Sequence, residues 1–206
     1  RDALLANLRQ PDSVLRFRII ASLNKLHKLY PDVELDPSIV EMVLASEIMN
    51  HWRSYQIMGK METHLHQQSF NAPLQKSIDH ELERIFRLLK MLYPQHDLQS
   101  AFVGLRSGNK AEHDSALEFI DNALKPSIPR LVVPLVDGDI SLGEKVEFAN
   151  RVLHSTIDSK DDALVMLMTT QDPWLKSCAA HLIGILGLKQ FRAEVDEWAT
   201  DVEPVL

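Results

Sequence analysis

The residues best placed to do chemistry in this chain are its nine histidines, its single cysteine and the acids beside them. Two groupings are dense: Glu62 with His64 and His66, and His80-Glu81 with Glu83. A zinc-protease helix sets histidines at i and i+4 with a glutamate between them, and neither grouping has that spacing. Residues two apart on a helix point roughly 200° away from each other, so His64 and His66 cannot share one face. Solvated helix surface is therefore the expected state of both groupings, with no metal and no cofactor. Cys178 has no second cysteine with which to form an internal disulfide. It falls on a core position of a helical pattern, which predicts a buried, inert thiol rather than a nucleophile. Gly108 lies in a turn with neither a glycine-rich phosphate loop nor a preceding strand, and no GxSxG elbow is present. Catalysis is not expected.

Any functional side chain here must be positioned by helices. From Leu98 to Leu124, two short amphipathic helices flank Ser107-Gly108-Asn109. Leu98, Ala101, Phe102 and Leu105 fall at i, i+3, i+4 and i+7, the spacing of one apolar stripe. Ala116, Leu117, Ile120, Ala123 and Leu124 repeat it, with Phe119 widening the stripe. Neither helix can bury its stripe alone. An offset of 97 residues places Leu5 on Phe102, and puts Ile19, Ile20, Leu23 and Leu26 on Ala116, Leu117, Ile120 and Ala123. A second offset, of 62 residues, carries Phe102 and Leu105 to Leu164 and Leu167. It also carries the second stripe to Cys178, Ala179, Leu182, Ile185 and Leu186. A looser copy over Leu131 to Leu153 fits between them. Such spacing is the signature of solenoids built from stacked helical pairs.

In chain order, helices are expected over Asp2–Gln10, Ser13–Tyr30 and Ile39–Gln68, the second capped by Ser13 and the third opened by Asp36-Pro37. Gly59 is a candidate break in the third. Another helix starts at Asn71-Ala72-Pro73 and ends at Tyr93-Pro94, so residues 37–93 form a long hairpin that is irregular relative to the repeat. Met42, Met49, Met58 and Met61 along it are read as core filling rather than an adaptable peptide-binding surface. Arg130–Val136, Leu142–Thr156, Asp161–Thr169 and Trp174–Leu186 follow. The last has an apolar outer face (Ala180, Ile183, Gly184, Gly187), for which the tail Phe191, Val195 and Trp198 is the expected cap over residues 190–206. His181 overlays Phe119 and is expected to pack.

A hydrophobic content of 45% and a charged content of 25% suit a folded domain and argue against wholesale disorder. The net charge of −7 disfavours general nucleic-acid binding, which needs a basic face. Residues 1–30 carry a local charge of +4 and residues 190–206 one of −4, read here as ordinary solvated faces. No apolar run approaches a membrane span and no signal peptide is visible. A first residue of Arg rather than Met fits a piece excised from a larger protein.

Several segments resemble a known family. They are Glu83-Arg84-Ile85-Phe86-Arg87-Leu88-Leu89, Leu92-Tyr93-Pro94, Asp97 and Gly104-Leu105-Arg106-Ser107-Gly108, followed by Ala116 to Leu124. Together with Arg16-Phe17-Arg18 and Leu23-Asn24-Lys25-Leu26, they resemble the HEAT-like domain that follows the membrane part of bacterial ATP/ADP-translocase-like, major-facilitator-type transporters. The resemblance covers residues 14–137, and residues after Asp137 match only as generic repeats. It implies a cytoplasmic helical domain at the inner face of the membrane, interacting or regulatory, with no catalytic residues to carry over. The expected fold is all-α: a single HEAT/armadillo-like solenoid over residues 1–206, a right-handed α-α superhelix of about four to five helical pairs. The expected function is a non-catalytic protein-binding scaffold, monomeric or weakly self-associating. Glu118, Asp121, Asn122 and Lys125 share one stripe clear of the stacking face and are the expected partner-binding residues. The alternatives are a HEAT-like DNA glycosylase, which needs a basic concave face, and a cofactor-lyase-type enzyme.

Overall fold

A computed structural model describes residues 2–30, 35–62, 68–170 and 172–201, with only the backbone at residues 68–73, 174 and 201. The described residues form helices α1 (Asp2–Ala6), α2 (Ser13–Leu29), α3 (Pro37–Met61), α4 (Gln68–Leu92), α5 (Leu98–Leu105) and α6 (Lys110–Ala123). They continue with α7 (Pro129–Val136), α8 (Leu142–Leu153), α9 (Lys160–Thr169) and α10 (Pro173–Leu186). A 3₁₀ turn at Lys189–Phe191 then leads into α11 (Arg192–Asp201). No strand occurs among the described residues, so the fold is all-α.

Side-chain caps set most of the helix starts. Asp12, one residue before the expected Ser13, caps α2 by accepting from the Val14 and Leu15 amides at 2.8 and 3.0 Å. Asp36 accepts from the Ser38 amide with Pro37 in the first turn of α3, as the sequence predicts. Ser141 with Glu144 and Ser159 with Asp162 form capping boxes on α8 and α9. The long hairpin is present as α3 and α4. However, α3 ends at Met61 rather than Gln68, and α4 begins at Gln68, ahead of Asn71-Ala72-Pro73.

Gly59 does not break α3. A Cβ at that position would stand 2.6 Å from Cγ2 of Val146 on α8, so the glycine admits a neighbouring helix. More widely, α3 packs against α4, α7, α8 and α9. Trp52, fully buried at its middle, stacks on Phe148 with centroids 4.6 Å apart and donates its indole N–H to the Leu131 carbonyl at 3.2 Å. Tyr55 Oη and Lys145 Nζ both donate to the Leu135 carbonyl, at 3.1 and 2.9 Å, tying α3 and α8 to the end of α7. Burial lifts the Tyr55 phenol to about 12, so it acts there as a neutral donor.

The apolar interior falls into two clusters. One joins α2 and the first half of α3 to the second half of α4 and to α5–α8, through Ile20, Leu44, Trp52, Leu88, Phe102 and Ile120. The other joins the far end of the hairpin to α9 and α10 through Met61, Leu74, Ile78, Leu164, Leu167 and Leu182. The expected stripe Leu98, Ala101, Phe102 and Leu105 is wholly buried. Helices α5 and α6 pack as a hairpin, and so do α9 and α10, the two copies related by the 62-residue offset. The looser copy between them does not behave as a pair. Helix α7 packs on α6 and α3, while α8 packs on α3, because Gly59 and Trp52 give α8 a surface to dock on.

The outer positions of the copies differ from the expectation. Phe119 is 36% exposed and meets the His96 ring edge-on, and His181 is exposed rather than packed. Ile185, placed in the core by the overlay, is 48% exposed. The expected cap exists over part of α10: Phe191 and Ile183 are buried, and Val195 and Trp198 lean on the same cluster, while Gly184 and Gly187 stay open. Residues 202–206 of that cap lie outside the described residues. Of the four methionines, Met61 is fully buried and Met58 half-buried in the second cluster, whereas Met42 is half exposed.

Gly59→Ala is expected to destabilise the chain by about 1–3 kcal/mol, the usual cost of overpacking. That cost exceeds the 0.5–1 kcal/mol or so that alanine otherwise gains over glycine within a helix. Urea unfolding checks this, and Val146→Ala in the same chain should recover most of the loss by vacating the contact.

Candidate functional site

On α3, Glu47, His51 and Ser54 stand at i, i+4 and i+7, and on α4 Ser77, Glu81 and Arg84 do the same. All six are buried, and the antiparallel hairpin turns the two stripes toward each other. Glu47, 1% exposed, accepts from Arg84 Nε at 2.8 Å through one oxygen and from Arg16 Nε at 2.5 Å through the other. Arg16 comes from α2, and its Nη1 also donates to the Gln10 and Pro11 carbonyls at 2.5 and 3.1 Å. One helix turn along, Glu81 meets His51 Nδ1 at 3.0 Å and accepts from Ser54 Oγ at 3.1 Å. Burial by itself pushes the Glu81 carboxyl up. The His51 hydrogen bond, the charges of His51 and Arg84 and the Ser54 hydroxyl outweigh it, leaving the group below its ordinary 4.5.

These ions form the floor of an open cavity of about 560 Å³ between the α1–α2 connection, α3, α4 and the start of α10. Arg9, Arg16, Asn50, Glu81, Thr170 and Asp172 are among its lining residues. A smaller space of about 200 Å³ shares Asn50, Glu81, Thr170 and Leu175 with it and extends the groove past Arg53 and Ser54. Among the described residues, charge in the larger cavity is balanced, with Arg9, Arg16 and Arg84 against Glu47, Glu81 and Asp172, and no aromatic side chain lines it. Such a surface presents paired charges and hydrogen-bonding groups in alternation. It can grip a polar chain without drawing one sign of charge.

The four expected partner-binding residues lie elsewhere. Glu118, Asp121, Asn122 and Lys125 are all exposed along α6 and just past its end, and none of them lines the groove. Asn122 donates back to the Glu118 carbonyl at 2.9 Å, and Lys125 Nζ lies 3.5 Å from Glu41 of α3. The His80-Glu81-x-Glu83 grouping is divided: Glu81 points into the hairpin, Glu83 pairs with Arg87 at 2.6 Å, and His80 is exposed. His64 and His66 lie outside the described residues. Among the described residues, no group of three His, Cys, Asp or Glu is placed to hold a metal ion. Cys178 is buried as expected, and burial, with the charge of Asp172, pushes its thiol up to about 11.

Of the Arg16–Glu47–Arg84 and His51–Glu81–Ser54 networks, only Glu81 stands in a grouping that the sequence marks for chemistry, expected there on solvated helix surface, whereas it is buried in its pairing with His51 and Ser54. Their signal was a polar i, i+4, i+7 triplet on each arm of a hairpin whose remaining periodicity is apolar. No family model, curated protein or solved structure matches the chain.

Removing the shared carboxylate leaves two arginines without their anion in a buried place. Glu47→Gln should therefore lower unfolding stability by about 3–5 kcal/mol, read from urea denaturation. For Glu81 the folded carboxyl titrates below its ordinary value. Its stabilising contribution is complete above 4.5 and is lost as pH falls through the lower folded value. Melting temperature against pH should drop on the acid side in the parent chain and flatten there in Glu81→Gln.

Proposed function

We propose that this chain is a non-catalytic, HEAT-like helical-repeat scaffold that binds protein, a soluble interaction or regulatory domain of a bacterial membrane transporter. The observation that carries the binding role is the 560 Å³ groove, whose buried ions are already paired with one another across α2, α3 and α4. A carboxylate clasped by two arginines, and another held by a histidine and a serine, are engaged rather than poised to move a proton. The groove's polar rim suits an extended segment of a partner, and the Glu118, Asp121, Asn122 and Lys125 stripe is a second contact surface. The α5–α6 and α9–α10 hairpins, related by one sequence offset, support the repeat reading; the right-handed turn of successive pairs is part of the proposal. No helix among the described residues is long and apolar enough to cross a membrane, so a transporter's membrane part would be a separate segment.

The glycosylase alternative is less well supported. A base-flipping site needs a basic face with aromatic residues for the extruded base, whereas the described lining of the groove is charge-balanced. A cofactor-lyase-type role has no specific observation in its favour.

Ser46 and Asn50 are exposed, one helical turn apart on α3, and line the groove. Ser46→Arg with Asn50→Arg should weaken capture of the physiological partner by about tenfold or more, which corresponds to about 1.4 kcal/mol, with the melting temperature unchanged. Charge reversal at Glu118 and Asp121 should weaken it less. Affinity purification with cross-linking at both surfaces is the measurement. A partner indifferent to all of these changes, or a gel shift with damaged duplex DNA at low salt, would reject the proposal.

A further inference from the structure

A separate pocket of about 250 Å³ opens between the start of α2 and α4. Its lining is Ser13, Val14, Lys76, Ser77, His80 and Arg84. Lys76, His80 and Arg84 follow at i, i+4 and i+8, so a single stripe of α4 supplies all three basic side chains. Ser13 and Ser77 add two hydroxyls, and among the described residues no acidic side chain lines the space. The nearby acids are engaged elsewhere. Asp12 accepts from the Val14 and Leu15 amides, Asp79 faces Arg106 at 3.6 Å, Glu81 holds His51, and Glu83 holds Arg87. Lys76 and His80 have no ion-pair partner among the described residues, while the His80 ring rests on Phe17 with centroids 5.6 Å apart.

Arg84 points to a ligand independently of the pocket's composition. It is 2% exposed and uses its Nε on Glu47, yet its terminal nitrogens meet no hydrogen-bond partner among the described residues. Nor are they sealed in: the one such buried orphan atom among those residues is Nδ1 of His27. The terminal nitrogens of a side chain this deeply buried therefore reach open space only through the cavities that Arg84 lines. Because Asp12 already caps α2, anion binding here would rest on side chains rather than on the free amides of a helix end.

From this convergence of three basic side chains and two hydroxyls we infer that the pocket binds the phosphate group of a small molecule, either inorganic phosphate or a small phosphate monoester. A planar, forked guanidinium suits phosphate oxygens, with lysine adding a point charge and the serines filling the remaining acceptor directions. Three terminal oxygens on phosphate use this many donors, where a carboxylate has two. The inference does not rest on the protein-binding reading of the larger groove, with which this pocket shares Arg84.

The test is an amide-shift titration of the isotope-labelled chain with sodium phosphate, matched in ionic strength by sodium chloride. Saturable shifts at Ser13, Val14, Ser77 and His80 with phosphate alone are expected. Lys76→Glu should weaken the response about tenfold or more. His80→Gln should weaken it less. Both changes are at exposed positions, and the dispersion of the spectrum verifies the fold directly. A second arm uses glycerol phosphate: tighter binding than inorganic phosphate identifies an ester as the ligand, and equal binding identifies the phosphate group alone. Shifts that stay linear, that chloride reproduces, or that ignore both substitutions would overturn the inference. So would retention on phosphatidylglycerol vesicles without a saturable response to free phosphate.

Discussion

A carboxylate taken out of water must be met by charge and hydrogen bonds, or its desolvation of several kcal/mol is left standing. Glu47 meets that condition with one arginine from α2 and one from α4, one on each oxygen. Three helices are thereby fixed in rotation and in register at a single point. The consequence spreads outward, because Arg16 also holds the Gln10 and Pro11 carbonyls and so positions the connection between α1 and α2. That connection forms one wall of the groove. Fold and groove depend on the same ion cluster.

The cluster also marks a changeover in the hairpin. On α3 the first apolar cluster reaches Trp52 and the second begins at Ile57, with Ser54 and Gln56 between them. On α4 the second cluster reaches Ile78 and the first begins at Ile85, with Glu81 and Arg84 between them. A polar belt thus crosses the hairpin where one apolar interior gives way to the other. Gln56 extends the belt by donating to Asn150 and to the Ser155 carbonyl, each at 2.6 Å, while Arg53 bonds Gln56 and Ser155 from beside it. Arg53 and Gln56 therefore form the seam along which α8 and the α8–α9 connection lie on α3.

Much of the architecture was legible because apolar spacing determines which face of a helix turns inward. Leu98, Ala101, Phe102 and Leu105 illustrate this, as do Asp36-Pro37 and the two hairpins sharing an offset. Periodicity does not determine which neighbour receives that face. Helix α8 carries a sound stripe yet docks on α3 rather than on α7, since a glycine on the far side of the sequence left room for Val146. For the same reason His181 and Ile185 inherited inward positions from an overlay and nonetheless lie in solvent. Equivalent sequence positions share a helix face. They do not share its surroundings.

The buried charges were less legible for a different reason. Read one residue at a time, Glu47, Glu81 and Arg84 look like the solvated face of a long helix, which is where such residues usually sit. Read as a pair of triplets, they cannot be treated so separately. Two antiparallel helices joined end to end bring position 47 opposite position 84 and position 51 opposite position 81, and both contacts are present. Acid on one arm then mirrors base on the other at a similar distance from the turn. An arrangement that buried only one row would leave uncompensated charge, at a cost comparable with the whole stability of a domain. Mirrored polarity across a hairpin is thus a constraint on packing as strong as an apolar stripe, and here it selects which faces of α3 and α4 meet.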